Sequence, residues 1–312
     1  MLQTTSRGAS AAGAPLAPAA PLAVGHEGAT KDRDPGALPS SASRHGVLRS
    51  QAGAGSFELS RLPPSEDLAF FVERHWIVRW DLRGREPYPQ ATLSHPCVNL
   101  VVEAERAAVH GVSTRRFDIL LEGEGLVVGT KFRPGAFFPF VGSPVHELTD
   151  RSSPLDEIFG EAGAALARAV RAERDVRAQV AHMEAFLRAR LPERDPNVLT
   201  VVRVASLALE DRSITTVDEL SARAGVPART LQRLFRRYVG VGPKWVIQRY
   251  RLHEAVSRAE EGAAVDWSAL AQDLGYCDQA HFIKDFKAAV GCAPAEHAAS
   301  CARLAGSDPG AR

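Results

Sequence analysis

Between Ile214 and Pro294 the chain writes one pattern twice, and this repeat limits the possible folds more than any other feature. Leu220-Ser221-Ala222-Arg223-Ala224-Gly225-Val226 returns fifty residues later as Leu270-Ala271-Gln272-Asp273-Leu274-Gly275-Tyr276. Each copy is a short helical segment stopped by glycine. A second apolar-periodic segment follows each glycine, carrying Leu231, Leu234 and Phe235 in the first copy and Phe282, Ile283 and Phe286 in the second. Helix, glycine turn, helix is the helix-turn-helix signature. Gly225 and Gly275 stand where the sharp turn needs positive φ, a conformation that costs other residues energy.

The surrounding residues fix the order of elements. Val198 to Leu209 predicts a first helix, and Val217 to Ala224 the scaffold helix of the first unit, with Thr216 as its cap. Pro227 is expected at the first position of the next helix, where a missing amide leaves nothing unsatisfied. Gly240 and Gly242 end that helix, and Pro243 opens a long one running to about Glu260. At 1.5 Å per residue, a helix from Lys244 to Glu260 spans roughly 25 Å, enough to hold two units about one DNA turn, roughly 34 Å, apart.

Bulk charge carries no message about partners. Lys and Arg number 38 against 37 Asp and Glu, a formal net charge of +1, so distribution has to decide. From Pro227 through His253 there is no acidic residue, while Arg229, Arg233, Arg236, Arg237, Lys244, Arg249 and Arg251 are basic. A basic cluster by itself equally describes a solvated helix face. On the second helix of a helix-turn-helix it points to the major groove of double-stranded DNA. Arg229, Gln232 and Arg233 are the expected base readers, with Arg236, Arg237 and Lys244 beside them. In the second unit the corresponding set is Gln279, Ala280, His281, Ile283 and Lys284.

At these residues the chain resembles the AraC/XylS family of bacterial transcription regulators. The likeness runs from Gly225-Val226-Pro227 to Arg236-Arg237, through Val239-Gly240-Val241-Gly242-Pro243-Lys244, Arg251-Leu252 and Ala255, to Leu274-Gly275-Tyr276, Asp278-Gln279-Ala280-His281-Phe282, Phe286-Lys287, Gly291 and Pro294. It covers about a third of the chain. The resemblance implies a DNA-binding domain of seven helices in which two recognition helices, joined by a rigid helix, enter successive major grooves. Two departures stand out. Many relatives carry Ser or Thr where this chain has Pro227, and Ala280 and Ile283 occupy places where a polar base reader can sit. That second head is expected to read thymine methyls or mainly to grip the backbone.

Upstream the pattern changes to strands. Phe70 to Trp80, Val98 to Glu103, Phe117 to Glu122 and Leu126 to Phe132 are β-branched or aromatic runs cut by turn residues, which suggests a sandwich or small barrel. Ala162 to Arg171 and Val176 to Arg190 then read as two helices. Pro63 to Trp76, Leu93 to Val102 and Phe132 to Leu148 resemble the cupin-like sensor domains that precede the DNA-binding module in many relatives. The expected fold class is thus α+β: a small N-terminal cupin-like β-barrel with connecting helices, then an all-α domain of two helix-turn-helix units.

Domain limits follow from composition. With 312 residues, 45% of them apolar, the chain suits about two domains plus a tail. Residues 1–56 form an Ala/Gly/Ser/Pro-rich tail expected to be disordered; 57–160 the sensor domain; 161–194 a helical connector that could also dimerise. Residues 195–298 form the DNA-binding domain and 299–312 a flexible end. The start lacks the basic region of a signal peptide, and Pro15, Pro18 and Pro21 interrupt its apolar stretch. No membrane span is expected, and the cytoplasm is the expected compartment.

Signs of chemistry are sparse. His75, His95, His110 and His146 are scattered singly, unlike the paired histidines of a metal-binding cupin, so neither metal nor cofactor is expected. Cys97, Cys277, Cys292 and Cys301 lack metal or disulfide spacing and read as reduced, mostly packing residues. No catalytic residues are assigned. Trp76 and Trp80 in the first strand are candidates to line an effector cavity, with plain core packing as the alternative. The leading reading is an effector-responsive regulator whose partners are double-stranded DNA, a small molecule, a second copy of the chain and, for an activator, RNA polymerase. The alternatives are an enzyme whose barrel is targeted to DNA, and a ligand-independent architectural protein.

Overall fold

The computed structural model of the chain describes Leu48, residues 55–260 and residues 265–305. Apart from Leu48 and residues 55–56, the segment expected to be disordered lies outside the described residues. Among the described residues, eight strands form two antiparallel sheets. β1 (Glu58–Leu62), β2 (Val72–Asp81), β4 (Asn99–Val102), β5 (Ala107–His110), β7 (Glu124–Phe132) and β8 (Ser152–Pro154) make a six-stranded sheet in the order β1-β2-β7-β4-β5-β8. Among the strands of the described residues, β3 (Tyr88–Leu93) and β6 (Arg116–Leu121) pair only with each other, from Tyr88 opposite Leu121 to Leu93 opposite Arg116.

The expected barrel is therefore not formed. A barrel needs an unbroken circuit of strand pairing, whereas here β1 and β8 end the larger sheet and the β3–β6 pair hydrogen-bonds to neither. Proline blunts two of these edges: Pro89 in β3 and Pro154 in β8 have no amide to donate to a further strand.

Alternation along the strands gives the large sheet two different faces. His75, Ile77, Leu100, Val102, Val128, Thr130 and Phe132 lie on the buried side. There α3 (Glu161–Ala172) packs on β4 and α4 (Val176–Arg188) on β7. The apolar side of α4, Val180, Met183, Phe186 and Leu187, fills this layer. Short helices α1 (Phe138–Val141) and α2 (Leu155–Phe159), and a 3-10 turn at Val145–Leu148, link strands to helices. The opposite face presents Trp76, Trp80, Asn99 and Lys131 toward the β3–β6 pair.

The C-terminal helices are α5 (Pro196–Glu210), α6 (Val217–Ala224), α7 (Ala228–Leu234), α8 (Pro243–Glu260), α9 (Trp267–Asp273), α10 (Gln279–Val290) and α11 (Pro294–Ala305). Thr216 caps α6 in a full capping box with Glu219. Gly225 (φ +66°) and Gly275 (φ +79°) make the left-handed turns read from the repeat. Pro227 is the N-cap of α7 and not its first residue. The chain then continues from α7 into one π-helical turn at Phe235–Val239, closed by Gly240 at φ +101°.

Two buried arginines tie this region together. Arg251 is 2% exposed, and its Nη2 lies 2.8–3.0 Å from the carbonyls of Ala208, Asp211 and Ile214. It supplies the donors that the C-terminal end of α5 lacks. Arg249 Nη2 donates to Thr114 O at 2.6 Å, and its guanidinium covers Trp245 at 4.5 Å. Both had counted toward the basic face in the sequence. The structure removes them from it.

Candidate functional site

Positions 229, 232 and 233 share one face of α7 by their i, i+3, i+4 spacing, and Arg229, Gln232 and Arg233 are all exposed. Leu231 and Leu234, on the other side, are buried. This amphipathic split fixes which side of α7 meets solvent. Arg236 and Arg237 follow on the π turn, also exposed, and Lys244 is exposed in the first turn of α8. Arg237 sits over the Phe138 ring at 4.9 Å, which draws it toward the N-terminal part. Among the described residues, no hydrogen bond or ion pair engages Arg229, Arg233, Arg236 or Lys244, so their charge faces solvent.

The second unit is built differently. Asp278 caps α10 by accepting from the His281 amide at 2.7 Å. Gln279, Ala280, His281 and Lys284 are exposed. Ile283 is half-buried against the core of Leu270, Phe282 and Phe286, so apolar packing accounts for much of its surface. His281 lies edge-on to Tyr276, 5.4 Å between centroids, with Asp285 3.7 Å from its Nε2. Lys284 is the cation this helix offers to solvent near its start.

A cavity of about 670 Å³ separates the two sheets. Trp76 and Trp80 form its floor, each lying flat over a glycine of β7. Trp76 Nε1 donates to Asn99 Oδ1 at 3.1 Å, and Trp80 Nε1 to Glu122 O at 3.0 Å. At one end Lys131 is 5% exposed. Its Nζ makes no hydrogen bond among the described residues, and the Glu73 carboxylate stands 3.9 Å away. Burial pulls the Lys131 pKa down. Arg61 and Arg74 line the same region. Glu73 comes near Lys131 because β2 shifts register between Val72 and Arg74. Cys97 also lines the cavity, and burial pushes its thiol up to about 12, a poor state for a nucleophile.

The cavity wall touches the helices directly. His95, in that wall, stacks on His253 of α8 at 4.2 Å. Arg116, in β6, donates through Nη1 to Val290 O at the C-terminal end of α10, 2.7 Å away. Thr149 Oγ1 donates to Gly240 O at 2.8 Å, directly after the π turn, and the neighbouring Asp150, which lines the cavity, accepts from the amide and hydroxyl of Thr114. Tyr238, inside the π turn, packs on Phe138 at 4.3 Å and donates to Asp195 at 2.6 Å. The sequence carried no sign of these contacts, since each joins residues far apart in the chain.

Of the histidines considered as metal ligands, His75 is bound up in the helix-covered face, between Thr130 and Glu184, whereas His110 lines the cavity. His95 faces α8. They do not converge on one point.

Residues 220–300 match the helix-turn-helix domain family. That span covers both units of the repeat. Residues 60–154 match a domain of unknown function, DUF6597, and the stretches Pro63 to Trp76, Leu93 to Val102 and Phe132 to Leu148 fall within it. No curated protein matches the chain. Among solved structures the comparison matches ToxT of Vibrio cholerae. An apo variant from strain SCE256 is 12% identical over 81% of this chain and 94% of that one, at a TM-score of 0.34. The P21 crystal form is 13% identical over 78% and 98%, at 0.33. Wild-type ToxT with unsaturated fatty acid bound is 10% identical over 78% and 91%, at 0.31. Among the described residues, no helix is long and apolar enough to cross a membrane.

Proposed function

We propose that the protein is a sequence-specific DNA-binding transcription regulator of the AraC type, reading two successive major grooves through α7 and α10. The observation that carries the reading is the exposed face of Arg229, Gln232 and Arg233 on the second helix of a helix-turn-helix domain, free of ion pairs among the described residues. Arginine can fork onto guanine and glutamine onto adenine. The 18 residues of α8 span about 27 Å between the two units, which suits heads set one DNA turn apart. In α10, Lys284 serves mainly as a backbone anchor, since Ala280 and Ile283 offer bases only apolar contact.

The cavity between the sheets takes a small effector. Its flat indole floor and its cationic end at Arg61, Arg74 and Lys131 favour an organic anion with an apolar body. An ion pair in a low-dielectric cavity is strong only when well partnered, and the Lys131 ammonium has hydrogen-bonding capacity to offer. Such a ligand can alter DNA binding only by its difference in affinity for two conformations. The His95–His253, Arg116–Val290 and Thr149–Gly240 contacts give the cavity wall three routes to the reading heads.

Genome-wide mapping of DNA bound by the tagged full chain, followed by footprinting, tests this reading. One or two discrete protected turns at recurrent sites are expected. Uniform coverage without a preferred site would overturn sequence-specific regulation.

A further inference from the structure

The strongest unassigned cluster of ligating groups lies where the end of α8 meets α11. His297 and Cys301 stand one turn apart on α11, and Glu260 is the last residue of α8. His297 is 1% exposed and Cys301 6%, whereas the Glu260 side chain keeps 16% of its surface in solvent. His297 Nε2 is 3.4 Å from Glu260 Oε1 and 3.7 Å from Cys301 Sγ. All three ligand atoms lie within 4.8 Å of one another.

We infer that Glu260, His297 and Cys301 form a binding site for a Zn²⁺-like divalent cation that clamps α11 to the end of α8. Tetrahedral zinc with ordinary Zn–N, Zn–O and Zn–S bonds sets its ligand atoms about 3.3 to 3.6 Å apart. Two of the three edges already have nearly that length. The third closes by rotation of the Glu260 side chain, the part of the cluster open to solvent. A thiolate, a carboxylate and a neutral imidazole together carry two negative charges, which a divalent ion balances in a buried place where unbalanced charge is costly. The mixed sulfur, nitrogen and oxygen set suits a borderline metal better than a hard one such as Ca²⁺ or Mg²⁺. Three protein ligands leave a fourth position for water. Binding needs the thiol deprotonated, so each bound ion releases that proton to solvent.

The site has a consequence for the second reading head. His297 packs on Phe286 of α10, 6.0 Å between ring centroids, and Phe286 is fully buried with Phe282. A metal holding α11 to α8 stiffens the support on which α10 rests. His297 and Cys301 are four residues apart in the chain, and only the fold brings Glu260, more than thirty residues upstream, to them, so cysteine spacing alone carried no sign of the site.

Co²⁺ titration of the full chain, followed by displacement with Zn²⁺, tests the proposal. The titration uses a Cys277→Ser background, which removes the exposed thiol. One equivalent should bind with the visible bands of tetrahedral cobalt and a sulfur-to-cobalt charge-transfer band, and Zn²⁺ should also raise the melting temperature. Cys301→Ser should abolish the charge-transfer band. His297→Gln and Glu260→Gln should each weaken binding at least tenfold, since even outer-shell partners are worth about 10- to 100-fold. Glu260→Gln sits at the solvent edge and tests the site even where a buried substitution disturbs folding. A charge-transfer band that survives Cys301→Ser, or a melting temperature unmoved by Zn²⁺, would overturn the site.

Discussion

The indole of Trp76 lies across Gly129, its direct partner on the neighbouring strand. A Cβ at residue 129 would stand 2.1 Å from Trp76 Cε2. Trp80 and Gly125 repeat the arrangement four residues along β2, again at 2.1 Å. Two glycines in β7 thus let two tryptophans lie down on the sheet, where they become a cavity floor. With any larger residue in β7 they would stand upright and fill the space above.

Gly129→Ala is therefore expected to lift the Trp76 indole into the cavity or shift the strand, at a cost of about 1 to 3 kcal/mol, typical of overpacking. Urea denaturation with tryptophan emission as the probe reads both effects. A change within about 0.5 kcal/mol, typical of an unconstrained surface site, with unaltered emission, would mean that the close approach does not constrain the sheet.

Much of the helical part was legible in the sequence because its signals are local. The glycine turns, the Thr216 cap and the limits of α6 follow from residues a few positions apart. Strand positions were also legible where β-branched runs are continuous, as in β2 and β7. Strand pairing was not. Nothing local shows that β3 and β6 pair with one another instead of closing a barrel, and hydrophobic alternation looks the same in both arrangements. Arg249 and Arg251 failed for a related reason. A run without acids looks like a phosphate-facing surface until the fold buries two of its members against backbone carbonyls.

The buried role of Arg251 makes a prediction that separates it from the exposed arginines. Arg251→Met should destabilise the chain by about 3 kcal/mol, since it leaves buried carbonyls of the α5 end without a donor. DNA affinity of the folded fraction should keep its salt dependence. Thermal unfolding and salt titration of binding check the two halves separately, and a reduced salt slope would return Arg251 to the phosphate-contacting set.

His110 sets an expected acid response. Burial first, then Arg106, lowers its pKa from the ordinary 6.5 to about 4. The unfolded chain therefore takes up the proton first as pH falls. The stability that the neutral ring contributes is fully present above pH 6.5 and is lost progressively as pH falls toward 4. His75, lowered by burial against the opposing pull of Glu184, moves stability in the same direction. Replacing His110 by Gln should flatten the fall of melting temperature between pH 7 and 4.5 without abolishing it. Identical pH profiles for the two proteins would show that His110 is not held neutral.

The two reading heads are expected to differ in kind, and single substitutions can separate them. Arg233 belongs to an exposed face whose neighbours, Arg229 and Gln232, can also meet base edges. Arg233→Ala should cost about 1 to 3 kcal/mol on the mapped site and relax preference at one base pair. Lys284 stands between half-buried Ile283 and Asp285; of the residues near it on its own face of α10, Ala280 has no polar group and His281 is held by Tyr276 and Asp285, while Gln279, five residues back, lies off that face. It has no base-reading neighbour to act with, so its charge should serve the backbone. Lys284→Ala should weaken binding to every duplex by a similar factor and lower the slope of log affinity against log salt by about 0.9, the contribution of one neutralised phosphate. Titrations on the mapped site, on single-base variants of it and on unrelated DNA distinguish the cases. A Lys284→Ala defect confined to one base identity, with the salt slope intact, would make α10 a base-reading helix like α7.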